Sequence, residues 1–125
     1  MGEEELRRVE SALATAEAAV TPSQRYLAAQ LAALRVAALV IATRGRPRRA
    51  GGRRNAWDLV AHLAPEHAEW AGYFATTQLK QQAIAAGATG LVSEREADDL
   101  LRDAGAFRDE VVGRLARAAR SRRTG

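Results

Sequence analysis

The chain has 125 residues, enough for one hydrophobic core and too few for two. Hydrophobic residues make up 47% and charged residues 27%, the balance of a folded globular chain rather than a disordered one. Cysteine is absent, which excludes a disulfide scaffold, a thiol nucleophile and cysteine-ligated zinc. With His62 and His67 as the only imidazoles, neither a metal nor another cofactor is expected. The 29 alanines and 18 arginines, against the single Lys80, favour helix before any pattern is read.

The net charge of +4 hides a segregation. Residues 44–54 (RGRPRRAGGRR) hold six arginines and no acid, and residues 114–125 (RLARAARSRRTG) hold five arginines and no acid. The rest of the chain keeps eight basic against 15 acidic residues, a net of −7. An acidic body with two basic patches is the electrostatic footprint expected for a polyanion partner. The tail has a second explanation, because arginines in the last turns of a helix complement its dipole.

Taken in chain order, Leu6, Val9, Leu13, Ala16 and Val20 are spaced three and four apart, predicting a first helix over 3–20. Thr21-Pro22-Ser23-Gln24 restarts the chain, with Thr21 as N-cap, Pro22 in the first helical position and Gln24 completing a capping box. A second helix over 22–43 is expected to present Leu27, Leu31, Leu34, Ala38 and Ile41 on one face. Val36, Leu39 and Val40 on another face make it the most buried element. Gly45, Pro47, Gly51 and Gly52 interrupt it, and Asn55 is placed to cap a third helix over 56–64. Pro65 opens a fourth over 65–86 that carries Trp70, Tyr73, Phe74 and Thr77. After the turn at 87–90, the capping box Ser93–Glu96 starts a fifth over 94–119. Short connections between the first two and last two helices favour antiparallel neighbours.

No run of about 18 uncharged apolar residues is present, and the opening residues are acidic where an export signal is basic. The expectation is therefore a cytoplasmic chain with no membrane partner. The fold class expected is all-α, a four- to five-helix up-and-down bundle. It forms one domain over 1–120 with the arginine-rich loop at 44–54 and a short basic tail at 121–125.

The richest neighbourhood for chemistry runs from Arg44 to Trp70. An arginine at a helix start brings a guanidinium beside free backbone N–H groups, which suits a phosphate. A histidine two turns on can act as general base toward a ribose hydroxyl. The RPRR loop, Arg54-Asn55-Ala56-Trp57, Ala64-Pro65-Glu66 with Glu69-Trp70, and the Arg95–Asp103 stretch of the fifth helix carry a resemblance. Over residues 21–107 the chain resembles the HEPN superfamily of small helical bundles, and within it an actinobacterial HEPN-like family.

Active HEPN ribonucleases are similar to one another in an arginine followed, after four to six residues, by a histidine, with two protomers joined at a shared cleft. The resemblance implies Arg54 as the phosphate-holding residue, His62 as the base, Asn55 in support or simply as a cap, and a homodimer. Seven residues separate Arg54 from His62 here. One extra residue rotates a helical side chain by about 100°, so ribonuclease activity is expected to be degenerate or absent, and metal-independent where it exists.

The expected nucleic-acid contacts are Arg44, Arg46, Arg48, Arg49, Arg53 and Arg54, with RNA, a nucleotide or another polyanion as partner. Two other readings stay open. One is an adaptor bundle whose arginine loop docks an acidic protein, and the other is non-specific DNA association, since Arg44-Gly45-Arg46-Pro47 looks like an AT-hook core. His67 is expected to pack or cap, and Trp57 and Trp70 to anchor the core or an interface.

Overall fold

Alanine decides which face of the second helix is buried. The computed structural model describes residues 2–45 and 55–124. Five helices run in the order α1 (Glu3–Ala18), α2 (Pro22–Arg44), α3 (Ala56–Leu63), α4 (Ala68–Ala85) and α5 (Glu94–Thr124), with a 3-10 turn at Pro65–His67. No strand occurs among the described residues, so the all-α bundle expected from composition is what forms. α2 is central and touches each of the other four helices.

Its buried side chains include Ala29, Ala32, Ala33 and Ala37 together with Val36, Leu39, Val40 and Ile41. Small residues on that face let neighbouring helix axes approach closely. The expected face of Leu27, Leu31, Leu34, Ala38 and Ile41 is buried only in part: Ile41 is buried and Leu27 packs against the core, whereas Leu31 is 44% and Leu34 39% exposed, and Ala38 is exposed as well. Periodicity favours the face with the larger side chains, whereas packing follows how near the helices can come. By length and composition α2 is also the one described helix apolar enough to cross a membrane. In this fold its apolar residues supply the centre of the core.

The helix ends follow from local chemistry. α1 stops at Ala18, short of the expected 20, and Val20 lies 82% exposed rather than on the buried stripe. Pro22 disfavours helical backbone at the residue before it, so the chain is extended at Thr21 before α2 begins. Thr21 accepts a hydrogen bond from the Gln24 amide at 3.1 Å, giving half of the expected capping box. The Ser93 box is complete: Ser93 Oγ accepts from the Glu96 amide at 3.1 Å and Glu96 Oε1 accepts from the Ser93 amide at 3.3 Å. α3 ends one residue early, at Leu63, and Pro65 opens a tight 3-10 turn before α4 rather than α4 itself. α5 continues past the expected Ala119 to Thr124, its last turn carrying Arg122 and Arg123 where cations complement the dipole.

Five of the six aromatic residues gather where α3, α4 and α5 meet. Phe107 of α5 lies 5.6 Å from Phe74, 5.8 Å from Trp70 and 6.3 Å from Trp57, centroid to centroid. Trp57 stacks on Phe74 at 5.3 Å, and the His67 ring meets Phe107 edge-on at 6.0 Å. Offset and edge-on pairs of this kind add to the area they bury. Beside the cluster, the buried Gln30 donates to the Phe74 carbonyl at 3.0 Å and accepts from Thr77 Oγ1 at 2.7 Å, so its amide costs little to enclose. Arg108 clamps α5 to α1 through both oxygens of Glu10 at 2.7 and 2.8 Å.

Two predictions follow from this packing. Phe107→Ala leaves a cavity at the junction of three helices and is expected to cost about 3–5 kcal/mol in denaturant unfolding, against under about 1 kcal/mol for the exposed Leu31→Ala. Burial raises the Tyr26 phenol above its ordinary value. Burial also raises Tyr73, and there the Asp103 carboxylate, which accepts the phenol hydrogen at 2.6 Å, adds to the effect. The folded chain therefore keeps protons that the unfolded chain sheds near pH 10. Phenolate absorbance is expected to stay low through about pH 10, with unfolding stability full below that pH and falling above it. Ionisation of both tyrosines at the ordinary value in the folded protein overturns this.

Candidate nucleic-acid interface

α2 ends on the first arginine of the loop. Gly45 then turns the chain with φ +80°, in the left-handed region open to glycine, and its amide closes the helix on the Ile41 carbonyl at 3.0 Å. Arg44 does not point freely into solvent. Its Nη1 donates at 3.1 Å to the Leu63 carbonyl, one of the orphan carbonyls at the end of α3, and its Nη2 donates to Glu66 Oε2. The Glu66 carboxyl is held below its ordinary value, first by a hydrogen bond from its own backbone amide and then by Arg44. Arg44 thus ties α2 to the α3–α4 turn while still bordering open space.

That space is a groove of about 700 Å³ between the C-terminal halves of α2 and α5. Val40, Thr43 and Arg44 form one wall, Arg114 and Arg122 the other, and His67 borders it. The first arginine of the loop patch therefore meets the tail at one end of the bundle, where Arg44 ends α2 beside Arg114 and Arg122 of α5. Dipole complementation, the simpler account of the tail, explains Arg122 and Arg123 but not Arg114, which lies turns earlier and faces the same groove.

Of the other residues expected at the site, Arg46, Arg48, Arg49, Arg53 and Arg54 lie outside the described residues. Asn55 is the N-cap of α3, accepting from the Asp58 amide at 2.9 Å. His62 sits exposed in the last turn of α3 and makes no side-chain hydrogen bond or ion pair with a described residue. Its chain neighbour Leu63 is the residue whose carbonyl holds Arg44.

The residue that sequence reasoning passed over is Glu110. His67 is 2% exposed, and its Nδ1 lies 2.6 Å from Glu110 Oε2 on α5. Nothing in the spacing of residues 67 and 110 announces this pair. The one local signal is that Glu110 precedes Arg114 by four residues, on the same side of α5. Glu110 also lines a second cavity of about 590 Å³, with Glu66, Glu69, Asp103, Trp70 and Tyr73. The His67–Glu110 pair separates an acidic cavity from a basic groove, so the charge segregation of the sequence is local in space too.

The comparison with protein families agrees with this architecture. The family described as SAV_6107-like HEPN matches residues 16–112, from the end of α1 through Val112 in α5. Neither the curated proteins nor the solved structures give a significant match. The matched span holds the central helix, the aromatic junction and the His67–Glu110 pair, and on that coverage the chain belongs to the HEPN superfamily, in the SAV_6107-like family.

Proposed function

We propose that this HEPN domain binds RNA, or nucleotides presenting the same phosphates, at its basic end. The observation that carries the reading is the convergence of Arg44, Arg114 and Arg122 on one groove beside the start of the six-arginine loop. Guanidinium groups on separate elements suit the spaced phosphates of a nucleic-acid backbone, and a guanidinium forms paired hydrogen bonds to phosphate oxygens. Contacts of this kind position a strand without reading its bases. Arg44 keeps capacity for a phosphate, since its bonds to Leu63 and Glu66 leave further N–H donors.

The reading includes a homodimer, as the family resemblance implies. Support comes from the leucines that packing turns outward: Leu31 and Leu34, with Leu27 and Trp57, line a shallow cleft toward Gln78 and Gln81 of α4. Neutral amides rather than charges at its edge suit a surface that becomes covered.

Fluorescence anisotropy with labelled single-stranded RNA tests the binding. Three phosphate contacts predict a loss of about 20-fold in affinity between about 50 and 200 mM salt. Arg114→Ser and Arg122→Ser are each expected to weaken binding and flatten that salt dependence, and replacing the loop arginines to do so further. Affinity that ignores salt, or is unchanged in these variants, overturns the reading. Sedimentation velocity checks the assembly: the wild-type chain is expected as a dimer at about 50 µM and the Leu31→Glu, Leu34→Glu double variant as a monomer, while a monomeric wild type removes the dimer.

A further inference from the structure

The cavity on the far side of the His67–Glu110 pair takes no part in the RNA reading. It encloses about 590 Å³ against α4, α5 and the 3-10 turn, and among the described residues no arginine, lysine or histidine lines it. Carboxylates on a helix surface are ordinarily just solvated, but these face an aromatic wall. Trp70 and Tyr73 meet edge to face with centroids 6.4 Å apart, and both border the cavity, where Tyr73 stays 38% exposed. The Tyr73 hydroxyl donates to Asp103 Oδ2 at 2.6 Å, which fixes that carboxylate beside the ring. Glu66 and Glu110 are already bonded to Arg44 and His67. Glu69 is different: it is exposed, borders the cavity and makes no hydrogen bond or ion pair with a described residue.

The negative face of an aromatic ring attracts a cation, and more strongly where water is displaced. A metal ion needs several ligands converging on one point, and no group of three or more acidic or imidazole side chains is so placed among the described residues. The arrangement therefore suits a large, diffuse charge. A guanidinium fits each surface: its flat face lies on an indole, its edge donates paired hydrogen bonds to a carboxylate, and its weak hydration lowers the cost of entry. A quaternary ammonium has no N–H to offer Glu69 or Asp103, and a primary ammonium is a compact, strongly hydrated point charge. We propose that this cavity is a binding site for a guanidinium group, stacked on Trp70 and held by Glu69 and Asp103. Two sources carry that group: a free arginine derivative, or an arginine at the basic end of a second copy of this chain. A cavity of this size accommodates either.

Isothermal titration calorimetry with L-argininamide at fixed ionic strength tests the site, with lysinamide and tetramethylammonium as comparison cations. Argininamide is expected to saturate one site per chain and to bind about threefold or more tighter than either comparison. Glu69 is exposed, so Glu69→Gln is expected to keep the fold and to weaken argininamide by about threefold to tenfold, and the Glu69→Gln, Asp103→Asn double variant to weaken it further. Arg114→Ser, on the groove side of the His67–Glu110 pair, is expected to leave it unchanged. In heteronuclear NMR the Trp70 indole resonance is expected to move with argininamide while that of the buried Trp57 stays. Sedimentation velocity at low salt on the Leu31→Glu, Leu34→Glu variant separates the sources. Association that argininamide dissolves assigns the group to a second copy, and a monomer that still binds argininamide assigns it to a free ligand. No saturable binding, equal affinity for argininamide and lysinamide, or unchanged affinity in the double variant overturns the site, and none of these outcomes bears on the RNA reading.

Discussion

The contact on which the rest of the molecule depends is the aromatic junction around Phe107. α3 is only eight residues long and does not stand alone, since isolated helices of that length are marginal in water. It is held because Trp57 stacks on Phe74 of α4 and leans on Phe107 of α5. The same junction fixes the 3-10 turn that follows, and with it His67, whose ring lies against Phe107. A rigid hydrophobic contact thus sets the position of a polar group: the 2.6 Å approach of Nδ1 to Glu110 exists because α4 and α5 are locked at that level. Arg44 completes the arrangement from the other side, joining the end of α2 to the end of α3.

Charge is distributed with the same economy of elements. Near the basic end Arg44 is paired across elements, with Glu66, rather than along one helix. Elsewhere, Arg25 meets Asp98 at 2.7 Å and Arg108 grips Glu10, so acids of the body are used as fasteners between helices. Such exposed pairs contribute little stability individually. Their larger consequence is for the surface, because they engage carboxylates along the bundle's sides.

Much of this was legible in the sequence, and the failures are instructive. The helices, the Asn55 and Ser93 caps and the turn at 87–90 follow from propensity, capping chemistry and glycine, all of which act over a few residues. The polarised charge was equally plain. What did not read was anything set by three-dimensional proximity. Leu31 and Leu34 were expected on a packed face by their spacing, yet they lie exposed while Ala29, Ala32, Ala33 and Ala37 are buried. Val20 was expected on the buried stripe, yet the proline restart ended α1 before reaching it. The His67–Glu110 contact did not read either, because Glu110 lies 43 positions away with no local signature. Family resemblance was readable because it lies in such local pieces, and the span matching SAV_6107-like HEPN contains them.

The placement of carboxylates beside the arginines has a consequence for how a strand would lie under the proposed reading. Glu66 and Glu110 line the acidic cavity and reach the groove's inner side through their bonds to Arg44 and His67, while exposed Arg114 and Arg122 line the groove along α5. A backbone phosphate is repelled by the inner carboxylates and drawn outward, and neither effect is strongly screened over a few ångströms. A strand seated there is therefore pushed toward Arg114 and Arg122 of α5. It crosses the bundle end rather than running down into the acidic cavity past Trp70 and Tyr73. Glu110 escapes being merely repulsive because its Oε2 faces His67, so one carboxylate both orients an imidazole and limits how deep a phosphate can sit. An apolar residue at position 110 would remove both constraints at once, which is why the pair, rather than either arginine patch, gives the groove a defined inner end.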